Sequence, residues 1–412
     1  MKILLCENLR LRHKDKIMEL MTPVPHTIYG RHLMDDATID QFLTACSIPP
    51  AIRGAQMPDG HVGYGLPIGG VLATRNDIIP YAIGVDISCG MRITLFKDPV
   101  DLIEIPLRQN PLRRALKEQT AFGVGAHFKG DQLRTHAVMD DDAWDHYLLK
   151  TLRPKALEQL GTSGTGNHFA EFGIVETDGI KELNVGKGSY LALLSHSGSR
   201  NLGYMIANHF TKIAIEKCEL PDKAKNLAYL SLDSDDGQSY WDCMNLAGRY
   251  AAANHELIHK HIAEAAGLRP IAHIENHHNF AWLEEYDGEQ LVVHRKGATP
   301  AGRGILGVIP GSMADWTYLV RGMGVEASLN SASHGAGRLL SRSQANKTLT
   351  VEDRKEQLEK WKVDLISAGI DESPQVYKNL DDVMDAQEDL IEKIGRFKPR
   401  IVMMAAGGRA ED

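Results

Sequence analysis

The chain has 412 residues, 43% of them hydrophobic and 24% charged, with a formal net charge of −8; that supports a large buried core and excludes a disordered or collagen-like chain. The negative balance argues against a protein that coats duplex nucleic acid, but not against an enzyme with a local basic pocket. Five scattered cysteines (Cys6, Cys46, Cys89, Cys218, Cys243) without a CxxC, an N-terminal stretch too short in apolar residues for a signal peptide and the lack of any membrane-length run predict a reducing, cytoplasmic setting without a membrane partner.

In chain order, residues 36–46 and 101–119 read as helices, the second amphipathic through Leu102, Ile105, Leu112 and Leu116. Residues 140–160 read as another. The stretches NHFAEFGIVE (167–176) and SYLALLSHSG (189–198) look like buried strands that end in polar loops. Long helices are predicted over 200–217 and 236–266, the second with Ala247, Ala251, Ala252 and Ala253 for close packing. From 270 the texture becomes strand-like, in IAHIENHHNFAWLEEY, EQLVVHRKG and RGILGVIPGS. Helices return at 335–345, 351–367 and 380–396. No repeat or linker divides the chain. The expected fold class is therefore mixed α/β (α+β): one large domain over residues 1–412, central sheets flanked by helices, and polar loops converging at one end of the strands.

The chemistry-bearing residues sit at such loops. GVDISCGM places Asp86 and Cys89 three residues apart between Gly84 and Gly90. Alone, that is an ordinary turn beside a buried cysteine. Histidines change the reading: His168 in GTGNHF, His196 in SHSGSR, His277 and His278 in ENHHNF, and His334 in SASHGAGR. One carboxylate, one thiol and three imidazoles suffice for a two-metal centre in which the thiolate bridges. His255 and His259 share a helix face at i,i+4, but no glutamate stands as in HExxH, so a solvated face is expected. In HGAGRLLSR, Gly335 and Gly337 are expected to open a helix against an anion, with Arg338 and Arg342 on one side. Beside a metal centre, phosphate chemistry is the better reading, because two metals clamp the oxygens of an in-line displacement. HRKGATPAGRG and MPDGHVGYG add Arg295, Lys296, Arg303, Asp59 and His61 in glycine-rich loops that are equally compatible with plain turns.

Taken in order, MPDGHVGYGLPIGG, GVDISCGM, GTGNHF, HSGSR, NHHN, RKGA, PGSM, SHGAGRLLSR and YKNLDDVMDAQ resemble the RtcB-type RNA ligases over nearly the whole chain. The resemblance implies joining of RNA ends bearing a 3′-phosphate or 2′,3′-cyclic phosphate to 5′-hydroxyl ends, with GTP as co-substrate and two Mn²⁺ ions. It implies His334 as the nucleophile that takes up GMP, oriented by Asp59. One ion would be held by Cys89, His196 and His278, and the other by Asp86, Cys89 and His168, with His277 behind. Asn167, Glu171, Ser312, Thr317, Gly335, Ala336, Gly337 and Tyr377 would surround the nucleotide. Arg200, Lys296, Arg338 and Arg342 would grip RNA or phosphate. An archease-like activator is a possible partner. The chain departs from the family pattern in two places. It ends RIVMMAAGGRAED, with no lysine after Lys398 and Arg409 as the nearby cation, and GSMAD replaces the usual GSMG, putting Asp315 beside the nucleotide region. The missing lysine predicts weaker discrimination of GTP from ATP unless Arg409 or Asp315 substitutes, and the two departures together suggest a divergent paralogue dedicated to repair of particular broken RNAs. Two other classes use the same residues: a two-metal phosphodiesterase or phosphatase acting on RNA ends, which would not need His334, and a non-catalytic module that binds RNA ends, which would not need a thiolate bridge.

Overall fold

A computed structural model describes residues 20–406; the N-terminal stretch and Arg409, on which two expectations rest, lie outside them. Two sheets carry the molecule. The larger runs Leu306–Pro310, Thr317–Gly322, Ile391–Met404, Phe169–Thr177, Gly188–Ser197, Gly90–Phe96, Pro270–His277, with Asp364–Ser367 added beside Ile391–Met404. Every pairing in it is antiparallel except that last one. Its two ends approach each other: the Asn276 amide donates to the Val308 carbonyl, and its Oδ1 accepts from the Val308 N–H at 2.9 Å. The sheet is thus nearly closed. The smaller sheet runs His26–Ile28, Ala51–His61, Ile68–Thr74, Glu289–Lys296, Asn279–Tyr286. Its first pair is parallel. The fold is mixed α/β in one domain, as expected.

The longest helix, Asp235–Ala266, begins where the Ser234 hydroxyl accepts from the Gly237 N–H and stops at Gly267, which adopts φ 69°. Its Ala247, Ala251 and Ala253 are buried, so neighbouring elements approach the backbone closely. One of its faces packs with helix Asn110–Gln119 and the larger sheet around Phe172, Leu193 and Ile258. Another joins helix Arg200–Lys217 around Phe210, Tyr240 and Tyr250.

Several predicted elements are corrected. The 101–119 helix breaks at Pro106 into Asp101–Glu104 and Asn110–Gln119, because proline lacks the donor that an interior turn needs. Only Tyr147–Gln159 of the 140–160 stretch is α-helical. No helix starts at Gly335. Gly337 takes φ 75°, Arg338 forms a β-bridge with Tyr377, and the helix is Arg342–Thr348, opened by a Ser341–Gln344 capping box. The 351–367 helix ends at Trp361, since Lys362 takes a left-handed φ of 56°, and Asp364–Ser367 is a strand. The 380–396 helix ends at Asp385. Beyond it Gly395 and Pro399 disfavour a helix, and Ile391–Met404 pairs on both sides as a strand of the larger sheet. Finally, His255 and His259 are buried rather than solvated. Both ring nitrogens facing Ser195 lie 2.9 Å from its hydroxyl, and the Thr94 hydroxyl caps His259 at 2.7 Å.

Candidate active site

Pairing register brings the distant motifs together. Cys89 directly precedes strand Gly90–Phe96, in which Met91 stands opposite His196. His196 stands opposite Phe169, the neighbour of His168. Gly90 pairs with His277, and the next residue, His278, donates its backbone N–H to the Cys89 carbonyl at 2.9 Å. Asp86 comes from the turn that precedes Cys89, closed by the Cys89 N–H on the Asp86 carbonyl at 3.1 Å. That turn touches Gly198 so closely that a Cβ there would lie 2.5 Å from Asp86 Oδ1. Glycine is required by contact.

Cys89 Sγ lies 3.0 Å from His196 Nε2 and 3.3 Å from His168 Nε2. His196 Nε2 is 3.3 Å from His278 Nε2, and His168 Nε2 is 3.0 Å from Asp86 Oδ2. Two donor triads result, Cys89–His196–His278 and Asp86–Cys89–His168, sharing the thiol. The other ring nitrogens face backbone carbonyls. His168 Nδ1 faces the Ser163 carbonyl and His196 Nδ1 the Asn167 carbonyl, both at 3.1 Å. A carbonyl only accepts, so the His196 Nδ1 carries the proton and its Nε2 offers its lone pair, whereas His168 Nε2 lies within hydrogen-bond reach of Asp86. Burial first, then the neighbouring histidines, push the His196 and His278 imidazoles well below their ordinary value. Burial alone would raise the Asp86 carboxyl, but the His168 hydrogen bond and charge and the Arg200 charge outweigh it, leaving Asp86 lowered. Asp86 Oδ1 is buried without a hydrogen-bond partner. A buried anion with an unmatched oxygen, beside a thiol and neutral imidazoles, is a donor set that fits divalent cations.

Next to this cluster stands His334, its ring 4.9 Å from that of His278. Its Nδ1 is 2.6 Å from Asp59 Oδ2, which also accepts the backbone N–H groups of His334 and Gly335 at 3.1 and 3.3 Å. Asp59 is fully buried. It reaches inward because strand Ala51–His61 skips register between Gln56 and His61. A Cβ at Gly337 would lie 2.1 Å from the Asp59 carbonyl. The glycines after His334 therefore let one loop sit directly on the Asp59 segment, instead of opening a helix.

One cleft is lined by Asp86, Cys89, His168, His196, His278 and His334, and by Asn167, Glu171, Ser312, Thr317, Gly335, Ala336, Gly337, Tyr377, Arg338 and Arg342. Burial pushes the Glu171 carboxyl well above its usual range. Four expected residues do not line it, Asp59 among them because it is buried behind His334. Lys296 is buried, donates to the Tyr64 carbonyl and has its ammonium pushed down to about 7 by burial. Arg200 is buried behind His168, with Nη1 3.4 Å from His168 Nδ1. His277 sits behind the cluster, its ring tilted against that of Phe280 at 6.5 Å between centroids. Asp315 also stays off the lining, its Oδ1 accepting from the Trp316 N–H at 2.7 Å. Two carboxylates that the sequence did not single out hold the cleft arginines: Glu372 and Asp371 bind Arg342, and Glu372 also binds Arg338 and the Tyr377 hydroxyl. Lys378 was likewise missed. Its ammonium donates to the carbonyls of Pro58 and Gly60, either side of Asp59. Only its adjacency to Tyr377 hinted at it.

A family model described as tRNA-splicing ligase RtcB matches residues 41–405. The RNA-splicing ligase RtcB of Escherichia coli K12 is 33% identical over 371 residues, covering 82% of this chain and 87% of that protein. The tRNA-splicing ligase RtcB of Nanoarchaeum equitans is 30% identical over 480 residues, covering 96% and 99%. RNA-splicing ligase RtcB homolog 1 of Entamoeba histolytica is 28% identical over 438 residues, covering 89% and 83%.

Proposed function

The chain belongs to the RtcB family of RNA-splicing ligases, and on that premise we propose that it joins RNA 3′-phosphate or 2′,3′-cyclic phosphate ends to 5′-hydroxyl ends, using GTP through a nucleotide carried on His334. The observation that carries this reading is the His334–Asp59 pair beside the shared-thiol cluster. A hydrolase would use such a pair only as a general acid or base and would leave no nucleotide on it, so a covalent adduct separates the two readings. A binding module has no use for either.

With Nδ1–H directed at Asp59, His334 presents Nε2 as the nucleophile. Nε2 attacks the α-phosphorus of GTP, the Nε2–P bond forms, and pyrophosphate leaves. The imidazole gains positive character in that step, and the Asp59 carboxylate offsets it. An oxygen of the RNA 3′-phosphate then displaces the histidine and takes the GMP. A 5′-hydroxyl attacks the activated phosphate, and GMP departs; a cyclic end needs prior opening by water. Cys89, His196 and His278, and Asp86, Cys89 and His168, would hold two divalent cations, Mn²⁺ in this reading, which polarise the phosphates and neutralise their charge when bound. Arg338 and Arg342 reach the same cleft and suit phosphate oxygens once released from Glu372. A cytoplasmic setting and an activating partner of the archease type belong to the same proposal; no helix among the described residues is long and apolar enough to cross a membrane.

The test is incubation with radiolabelled GTP or ATP and Mn²⁺, followed by mass spectrometry. A GMP adduct that is acid-labile, as a phosphoramidate should be, and absent from His334→Ala supports the reading. An adduct that persists in His334→Ala removes His334 as nucleophile.

A further inference from the structure

At one seam of the larger sheet, strand Ile391–Met404 changes partners. Its edge pairs with Thr317–Gly322 as far as Phe397, and with Asp364–Ser367 from Ile401. Between the two, Trp316 and Trp361 meet edge to face, their ring centroids 5.6 Å apart. Three cations of the same strand gather on them. The Arg396 guanidinium lies 4.0 Å above the Trp316 ring, and Lys398 Nζ lies 5.5 Å from Trp316 and 5.3 Å from Trp361. Arg400 Nη1 donates to the Trp361 carbonyl at 3.0 Å. Lys362, exposed at the end of helix Val351–Trp361, adds a fourth. Against these stands one ion-paired carboxylate, Glu176, 2.8 Å from Arg396 and as exposed as its partner. Lys398 has no ion pair among the described residues. Burial first, and then the charges of Arg400, Arg396 and Lys362, lower its ammonium.

In a chain with an overall charge of −8, a local group of four cations around two indoles needs a partner that matches both features. Single-stranded RNA offers a phosphate for each cation and a π-face for each indole or stacked guanidinium. Duplex nucleic acid hides its bases and would use only the cations. The patch also adjoins the cleft. Trp316 directly precedes the cleft residue Thr317, and Trp361 packs on the small apolar cluster of Met313, Val402 and Met404, which also line the cleft. We infer that Trp316, Trp361, Arg396, Lys398, Arg400 and Lys362 form a stacking platform for the single-stranded RNA whose end lies in the cleft. The inference rests on the ligase reading for the identity of that strand.

The experiment uses the full chain without GTP or metal, and anisotropy of a fluorescent oligouridine ending in a 3′-phosphate, with duplex RNA of equal length alongside. Trp316→Ala should weaken single-strand binding roughly 5- to 150-fold, the range of one lost base stack, and Trp316→Phe should recover most of it. The double variant Arg396→Ala/Lys398→Ala should flatten the dependence of log K on log salt by about 1.4, at ~0.7 per phosphate contact. Its labelled-GTP adduct, formed without RNA, should equal that of the native protein. Unchanged single-strand affinity in Trp316→Ala together with an unchanged salt slope in the double variant would overturn the platform, as would an equal loss for duplex RNA. Native protein that shows these RNA effects but forms no GTP adduct would refute the ligase chemistry and leave the platform standing.

Discussion

Asp59→Asn changes one atom and should nearly silence nucleotide transfer. Asp59 Oδ2 accepts three N–H groups, from the His334 ring, the His334 backbone and the Gly335 backbone. If the asparagine oxygen keeps that position, geometry survives but the charge does not. A charge-assisted hydrogen bond is worth about 1.5–3 kcal/mol, and the imidazole becomes more positive as it attacks, so the rate should fall roughly 10- to 150-fold at about 1.4 kcal/mol per decade. If instead the amide nitrogen faces His334, it confronts three donors, and the imidazole must move its proton to Nε2. That tautomer has no lone pair for phosphorus, and the loss is larger. In neither case is a ligand of the metal cluster altered. The assay is single-turnover formation of the labelled adduct, with Mn²⁺ content measured on the same sample. Adduct formation at the native rate in a metal-replete Asp59→Asn protein would refute the role given to this pair.

Cys89→Ala removes the donor common to both triads, so both metals should be lost by elemental analysis and adduct formation with them; Cys46→Ala, deep in the core against Phe42, should leave metal content unchanged. The native protein should join a 3′-phosphate strand to a 5′-hydroxyl strand and ignore 3′-hydroxyl/5′-phosphate ends, which gel assays of end-labelled RNA decide. The ratio of GTP to ATP adduct at equal concentration reports how strictly the site chooses its nucleotide; a ratio near one would show that nothing in the cleft reads guanine. Burial, followed by the Asp381 charge, raises the Asp315 carboxyl to about 6. The folded chain therefore holds a proton that the unfolded chain releases above about 4. Stability should fall as pH rises from about 4 to about 6 and stay lowered above it. Asp315→Asn should recover on the order of 1–3 kcal/mol at pH 7 and nothing at pH 4, read by urea unfolding at both.

The donor set was legible because each donor sits beside a strand end in its own short, glycine-marked motif, and the mixed α/β class followed from runs such as SYLALLSHS that alternate with helical stretches. Legibility failed where tertiary pairing overrides local preference. IEKIGRFKPRIVMM carries enough charged and aliphatic residues to continue a helix, yet two neighbouring strands claim its backbone. HGAGRLLSR looks like a phosphate-binding helix start, and only the approach of Asp59 explains why its glycines bend the loop elsewhere. The i,i+4 spacing of His255 and His259 is the same on a wet face and a dry one. Ser195, which lies between them, is 60 and 64 residues away in sequence.

That misread pair also shows how the cluster is held from behind. Ser195 and Ser197 flank His196 on its strand. The Ser195 hydroxyl meets His255 and His259, and the Ser197 carbonyl lies 3.1 Å from His255 Nε2. Asn254 donates to the Ser197 hydroxyl and to the Thr162 carbonyl, and the Ser197 hydroxyl donates to the Ser163 carbonyl at 2.9 Å, the same oxygen that orients His168. Burial and neighbouring positive charge push the His255 imidazole down to about 3, so it stays neutral and keeps one donor and one acceptor. The long helix thus fixes both flanks of His196 and the carbonyl behind His168 through neutral hydrogen bonds. Cationic imidazoles there would repel the metals the cluster is shaped to bind. Two apparently spare histidines are where the geometry of the site is set.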